Sequence, residues 1–472
     1  MIPLTIRQIR QAVRGKFLAP QPEESPQSIV TVCTDSRRIE AGCLFVALRG
    51  DNFDGHAFLP QVAAGGAIAA LVEEPPATPL PNVHLIQVEN TRKAMGVLAR
   101  YVRRHMRAKV IGVAGSNGKT STKYLIHTAL GAKLRGSASP KSFNNDIGVP
   151  LAIFPADPNQ DYLVLEMGTN HHGEIKVLTD MALPDIGVIT NCGAEHLEFL
   201  DDLMGVRREN ATIISGLNPK GLLIINGDDR DLVDAVAHYP GKKVTFGFGT
   251  HNDLFASDVV CDARGVTFKL NGTRDVFVPM LGKHTAANAL AAIAVARRMR
   301  VSEESIIEAL ATAEGPDMRL QLDDVNGIKL LNDAYNANPN SMRAALETVA
   351  ALPTEGRRIA VLGEMRELGK SSERYHREIG EFAATCKLDM LVCVGPTAAL
   401  IAEAARASGM NPKVISTFVD APTAAPAVHK AVKKNDLVLL KASRGIQLEF
   451  VAKVLAAETA QPTAPRIRKV AG

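Results

Sequence analysis

The residues with most chemistry to offer are Gly115-Ser116-Asn117-Gly118-Lys119-Thr120-Ser121. An apolar, β-branched run, Val110 to Ala114, leads into them, and a helical pattern, Lys123 to Leu130, leaves them. Strand, glycine-rich turn and helix are the context a phosphate-binding loop requires. Glycines let backbone N–H groups converge on an anion. The helix start adds roughly half a positive charge. Lys119 is then expected to reach the β- and γ-phosphates of a nucleotide and Thr120 to offer its hydroxyl to Mg²⁺, with the rest of the run as the cradle. The usual pattern puts its first glycine at position 113; here that residue is Val113, flanked by Gly112 and Gly115.

Further polar groups follow apolar strand patterns. Tyr162 to Glu166 ends in a carboxylate. Ligands of parallel sheets sit outside the carboxyl ends of the strands, so Glu166 is expected to hold magnesium beside Thr120, or else to face solvent. Ile186 to Thr190 is followed by a polar loop, Asn191 to His196, in which Glu195 and His196 offer a second metal site, or His196 is a structural histidine. Asn288 opens a helix after Gly282-Lys283-His284 and could pair with an adenine edge; the same pattern serves as a plain cap. Asp333 could bind ribose hydroxyls, with Asn336 and Asn338 offering amides, or the stretch to Pro339 is an ordinary turn. Lys441, Ser443 and Arg444, after the strand pattern Leu437 to Leu440, would make a carboxylate or phosphate trap at a helix start. Arg319 is placed to swing onto nucleotide phosphates, or is a surface arginine.

These residues need a scaffold of several domains, because 472 residues are too many for one core. Residues 1–107 read as a small α/β domain, with strands at Cys43 to Leu48 and Ile68 to Val72 and a helical stretch at Leu59 to Ala70. Residues 108–315 alternate strands (Val110 to Ala114, Tyr162 to Glu166, Ile186 to Thr190, Leu222 to Asn226) with helices, the rhythm of a largely parallel sheet. Short alternating strands follow over Phe246 to Val278, then an alanine-rich helix, Thr285 to Met299. Residues 316–458 repeat the rhythm with strands at Ile328, Ile359, Met390 and Leu437 and a helix from Ser341 to Leu352, without a G-x-G-x-x-G fingerprint. Residues 459–472 read as a flexible, solvated tail. The fold class is α/β with three domains: a central P-loop ATPase-like parallel sheet between a small α/β N-terminal domain and a Rossmann-like C-terminal one.

Composition removes other classes. A formal charge of +4, no tryptophan and 4% aromatic residues argue against a nucleic-acid or membrane-surface partner. The basic run Arg103 to Arg107 is expected to be a solvated helix end or linker in preference to a nucleic-acid patch. Six scattered cysteines suit a reducing cytoplasm and give no zinc pattern. Met1 to Ile6, followed by Arg7 and Arg10, shows no signal-peptide h-region or cleavage site, and no apolar run is long enough to span a bilayer, so neither a secretory signal nor a membrane span is expected.

The blocks together resemble the Mur ligase family, ATP-dependent amide-forming enzymes of peptidoglycan synthesis. Thr34-Asp35-Ser36-Arg37, Gly42 to Gly50 and Phe53-Asp54-Gly55-His56 resemble its uridine-nucleotide-binding domain, and Asn144 to Pro150 its substrate-contacting loop. Glu166 to Glu174, Asp333 to Met342 and Gly363 to Gly369 are similar to blocks of the branch that adds D-alanyl-D-alanine to UDP-N-acetylmuramoyl-tripeptide; the Asp-Asn-Pro-Arg block of the tripeptide-forming branch is absent. The resemblance implies a UDP-sugar tripeptide on the first domain (Ser36, Asn144, Asn145), ATP and Mg²⁺ on the second, and D-alanyl-D-alanine brought by the third (Asn336, Ser443, Arg444). Lys119, Glu166, His196 and Asn336 would be catalytic, with Thr120, Glu166 and His196 on metal. Asn288 would contact adenine, Arg319 phosphates and Asp333 ribose. The product would be UDP-N-acetylmuramoyl pentapeptide, made through an acyl phosphate by a cytoplasmic monomer. The alternatives are another Mur or folylpolyglutamate-type ligase, or a non-catalytic nucleotide-binding scaffold. One departure stands out. Where Mur ligases typically carry a carbamylated lysine, this chain has Asn210, so no lysine carbamate is expected: Asn210 or Glu209 would substitute, or the second metal would be held more weakly.

Overall fold

The structure, a computed structural model, describes residues 1–18, 28–80 and 82–457. The expected tail, 459–472, lies outside the described residues. The chain forms two compact units: Met1–Pro316 with Glu367–Lys370, and Asp317–Arg366 with the chain from Ser371 on.

The first unit carries two main sheets. Among the described residues, nine strands make the larger one, in the order Gly136–Ala138, Tyr162–Glu166, Lys109–Ala114, Ile186–Ile189, Leu222–Asn226, Lys242–Gly247, Leu254–Asp262, Gly265–Leu270, Arg274–Val278. Strand Lys109–Ala114 pairs in parallel with Tyr162–Glu166 on one side and Ile186–Ile189 on the other. Its buried Val and Ile residues fit a strand covered on both faces. Because the chain leaves this strand in opposite directions, its carboxyl end is a topological switch point, where ligands bind. The expected parallel order holds as far as Leu254–Asp262; the last two strands run antiparallel, as the alternating stretch after Phe246 foreshadows. Helix His284–Arg298 is buried from Thr285 to Ala296, and its alanines let it lie close to helix Lys119–Gly131.

The smaller sheet orders Lys16–Phe17, His84–Gln87, Ala69–Val72, Leu44–Val46 and Val32–Cys33, parallel except for its first pair. One apolar cluster, from Leu4 to Tyr239, runs through both sheets of the unit, with Met95, Leu98 and Val102 of helix Thr91–Arg104 inside it. The helix expected over Leu59 to Ala70 stops at Ala64. Gly65 and Gly66 turn the chain, Gly66 at φ +91°, and the alanines beyond enter strand Ala69–Val72, whose core sites accept small side chains.

The second unit has six described strands in the order Gln321–Val325, Ile328–Asn332, Leu437–Lys441, Arg358–Gly363, Met390–Val394, Ile415–Phe418, parallel except for the first hairpin. Helix Pro339–Ala351 begins two residues before the expected Ser341, because Asn338 and Ser341 form a reciprocal cap with Pro339 in the first turn. No described helix is long and apolar enough to cross a membrane.

Candidate active site

The phosphate loop is locked to the neighbouring strand end. Ser116 N donates to Asn191 O at 2.8 Å, and Asn117 N to Asn191 Oδ1 at 3.1 Å. Thr190 Oγ1 and Asn191 Nδ2 donate to Asn117 O at 2.6 and 2.9 Å. Gly193 N donates to Ser116 Oγ at 2.8 Å. The amides of Ser116 and Asn117 therefore serve the loop's own shape. The next bond, Thr122 N to Gly118 O, is intrahelical, so the donors for an anion are the amides at the start of helix Lys119–Gly131. Gly115 (φ +125°) would drive a Cβ to 2.2 Å from Thr190 Oγ1. Gly118 (φ +79°) would put one 2.6 Å from Asn288 Oδ1. Asn288 thus abuts the loop; it is buried, and its Nδ2 has no hydrogen-bond partner among the described residues.

Lys119 lies across the loop. Its Nζ donates to Gly115 O at 2.5 Å and Ser116 O at 3.1 Å, and stands 4.0 Å from Glu195 Oε2. Two buried carboxylates follow the neighbouring strands: Glu166 ends strand Tyr162–Glu166, and Glu195 sits in the loop after strand Ile186–Ile189. Glu166 is 1% exposed and Glu195 6%, and among the described residues Glu166 Oε2 and Glu195 Oε1 accept no hydrogen bond. Buried acceptors of this kind ask for positive charge, which Lys123 Nζ already brings to within 3.3 Å of Glu166 Oε2. These carboxylates and the buried Thr120 hydroxyl are hard oxygen donors of the type Mg²⁺ takes together with phosphate oxygens, so their chemistry fits that ion. Among the described residues, no group of three or more His, Cys, Asp and Glu side chains could hold a metal ion by itself. His196 has a left-handed backbone (φ +50°); its Nδ1 is hydrogen-bonded to Glu367, and its Nε2 lies 3.8 Å from Glu195 Oε2.

Asn144 Nδ2 donates to Glu166 Oε1 at 3.0 Å, and Lys123 Nζ is 3.3 Å from Glu166 Oε2. Asn145 Oδ1 accepts from Gly148 N at 2.8 Å at the start of helix Gly148–Ile153. Asn210 is buried, with Nδ2 on Val206 O at 2.9 Å and Oδ1 without a partner among the described residues. Glu209 accepts from Gly173 N at 2.7 Å and Ile175 N at 2.8 Å, where helix Glu174–Ala182 begins. Glu209 is a helix-end clasp in this arrangement.

In the smaller sheet's loops, Ser36 is half-buried and opens a short turn capped by Asp35. The Asp54/His56 motif is a closed network. Glu73 N donates to His56 Nε2 at 2.8 Å, which leaves the proton on Nδ1, 2.6 Å from Asp54 Oδ1.

In the second unit, Asp333 Oδ2 is 2.5 Å from Lys441 Nζ, and Oδ1 accepts from Leu320 N at 3.2 Å. Arg319 stacks on Tyr335, 4.0 Å from the ring centroid. The expectation that Lys441 joins Ser443 and Arg444 in a helix-start trap is corrected here. Lys441 is buried at its strand end and paired with Asp333, and the turn Arg444–Ile446 has three residues. Ser443 Oγ accepts from Arg366 N at 2.9 Å, and Arg444 pairs with Glu449 at 3.1 Å. Asn336 is exposed, with its carbonyl 3.2 Å from Lys441 Nζ. Sequence patterns missed Lys123, Thr190 and Asn191; the spacing of Lys123 four residues after Lys119, on one helix face, is the signal that was there.

A phosphate loop at the switch point of a parallel sheet, with buried acceptor-only carboxylates on both sides and a doubly wound second unit, defines a P-loop nucleotide-binding α/β enzyme. The chain belongs to the Mur ligase family. Profiles of the Mur ligase family catalytic domain, the Mur ligase middle domain and the Mur ligase glutamate ligase domain match residues 28–103, 113–296 and 318–444. The chain is 38% identical over 457 residues to UDP-N-acetylmuramoyl-tripeptide–D-alanyl-D-alanine ligase of Bacillus subtilis, covering 96% of this chain and 99% of that one. The enzyme of the same name from Escherichia coli is 34% identical over 463 residues, with 96% and 99% covered. Among solved structures, MurF from Acinetobacter baumannii superposes with a TM-score of 0.86 at 30% identity, over 96% of this chain and 99% of that one. MurF from Thermotoga maritima in complex with ADP gives 0.79 at 28% identity, over 90% and 96%.

Proposed function

We propose that this chain is an ATP-dependent amide ligase that joins D-alanyl-D-alanine to UDP-N-acetylmuramoyl-tripeptide, giving the pentapeptide of peptidoglycan synthesis with ADP and phosphate. What supports it most is the likeness to ligases of that name over 96% of the chain, with an intact phosphate loop between two buried carboxylates. A free carboxylate is a poor electrophile for an amine. The tripeptide carboxylate takes the γ-phosphoryl group of ATP, the dipeptide amine attacks the acyl phosphate, and phosphate leaves as the amide forms. Positioning and charge neutralisation are the protein's main work in such a transfer. The amides at the start of helix Lys119–Gly131 and the Lys119 ammonium stabilise charge on the transferring group. Asn288 offers its amide to adenine, Arg319 its guanidinium to phosphates, and Asp333 its carboxylate to ribose. Mg²⁺ held by Thr120 and Glu166, with His196 on a second ion, would supply positive charge to the phosphate oxygens. Ser36, Asn144 and Asn145 serve the UDP-sugar peptide, and Asn336, Ser443 and Arg444 the dipeptide. The domains are 1–107 for the acid substrate, 108–315 for ATP and 316–458 for the dipeptide, in a cytoplasmic monomer.

The test is phosphate release on a panel of UDP-muramoyl peptides crossed with D-alanyl-D-alanine and other amines. The proposal requires release only when ATP, a UDP-muramoyl-tripeptide and the dipeptide are all present. ATP binding without such turnover would mark a scaffold instead.

A further inference from the structure

We propose that Lys123 is a positioning residue that couples the loop Ser139–Asp146 to the carboxylate of Glu166. This rests on the ligase function proposed above, in which that loop meets the acid substrate. Lys123 sits one helical turn beyond Lys119, and its side chain is 1% exposed. Its ammonium faces Glu166 Oε2 at 3.3 Å and also donates to the carbonyl of Lys141, whose backbone is left-handed (φ +45°). The same loop reaches Glu166 twice more. Ser139 Oγ accepts from Glu166 N at 3.2 Å, and Asn144 Nδ2 donates to Glu166 Oε1 at 3.0 Å. Gly168 N closes the set by donating to Asn144 O at 2.7 Å, and a Cβ at Gly168 would sit 2.7 Å from Asn144 Nδ2.

Each Glu166 oxygen is therefore addressed by a group tied to this loop: Oε1 by Asn144 directly, Oε2 by an ammonium that also holds Lys141. Burying a lysine is expensive unless its charge is met, and here the partners are the carboxylate beside the phosphate loop and the loop's own backbone. A substrate that shifts the loop moves both contacts. Conversely, a cation drawn to Glu166 Oε2 competes with Lys123 for that oxygen and loosens its hold on Lys141. Such a shared element makes the two sites thermodynamically linked, and the linkage is reciprocal.

The experiment is calorimetric titration of the full chain with UDP-N-acetylmuramoyl-tripeptide, alone and with saturating Mg²⁺ and β,γ-methylene-ATP. The ratio of the two affinities is the coupling factor. The wild type is expected to show about fivefold or more. Lys123→Gln keeps a donor for Lys141 but loses the charge; its ratio should fall to about one, with the Mg²⁺-free affinity for the tripeptide also read. A purely structural lysine would lower the unfolding temperature of Lys123→Gln and leave the ratio intact, which overturns the proposal. If Lys123→Gln does not fold, Asn144→Ala carries the test from the loop side, and a wild-type ratio in that folded variant overturns it too. A wild-type ratio of one does the same. Failure of the ligase function itself is separate: the wild type would then release no phosphate with all three substrates present.

Discussion

Lys441 Nζ lies 2.5 Å from Asp333 Oδ2, joining positions 108 residues apart, with the two side chains 2% and 11% exposed. Burial pushes the Lys441 ammonium below the usual lysine range, and Asp333 opposes that push. Removing one partner strands the other charge. Lys441→Met should cost about 3–5 kcal/mol of stability, measured by urea unfolding of the whole chain. Adding Asp333→Leu should recover much of the loss, because an apolar pair replaces a half-broken ionic one. A single variant as stable as the wild type would contradict this.

Acid should release the Asp54 network. Partial burial raises the Asp54 carboxyl, but the His56 amide, the His56 ring and the Arg49 guanidinium outweigh it and hold it at about 2, against 3.8 unperturbed. The unfolded chain then binds the proton more readily than the folded one. Stability from this group is present above about pH 4 and lost as the pH falls toward about 2. Urea midpoints followed by circular dichroism should drop over that window, and Asp54→Asn should flatten the drop.

Glu209→Ala should act on folding. The side chain accepts two backbone amides at the head of helix Glu174–Ala182, and leaving them unpaired should cost about 1–3 kcal/mol. The Mg²⁺ concentration for half-maximal phosphate release should stay put. A large rise in it would return Glu209 to the metal site.

Gly118→Ala meets two obstacles together, a left-handed backbone and the Asn288 amide 2.6 Å from the new Cβ. Nucleotide affinity should fall at least about tenfold, since a displacement of about 1 Å in a positioning group has effects of that size or larger. Titration with β,γ-methylene-ATP reads it directly.

Lys119→Ala should cut phosphate release by about 10²–10³-fold, the scale of losing one preorganised donor. The fold should survive, because Lys119 bonds only to loop carbonyls and stands at ion-pair limit from Glu195. Full activity in a folded Lys119→Ala protein would remove the basis of the ligase function.

The strands Tyr162–Glu166, Leu222–Asn226 and Met390–Val394 are legible in sequence because strands buried on both faces write unbroken apolar runs. Leu59 to Ala70 misleads, since alanine favours a helix yet also fits a crowded strand, and the break rests on Gly65 and Gly66. Polar partners are harder still. That Asn144 binds Glu166, and that Lys441 turns inward to Asp333, depends on which strand ends the topology brings together. Local pattern carries the residue type and its place at a strand end, and tertiary pairing carries the rest.

The clamp that Thr190 and Asn191 place on the phosphate loop has a thermodynamic consequence. The order of the cradle is already established when the chain folds, so little further freezing accompanies capture of the triphosphate. Nucleotide binding should then show a modest entropic penalty and fast association, and selectivity should reside in fixed shape, with poor tolerance of bulkier phosphate mimics.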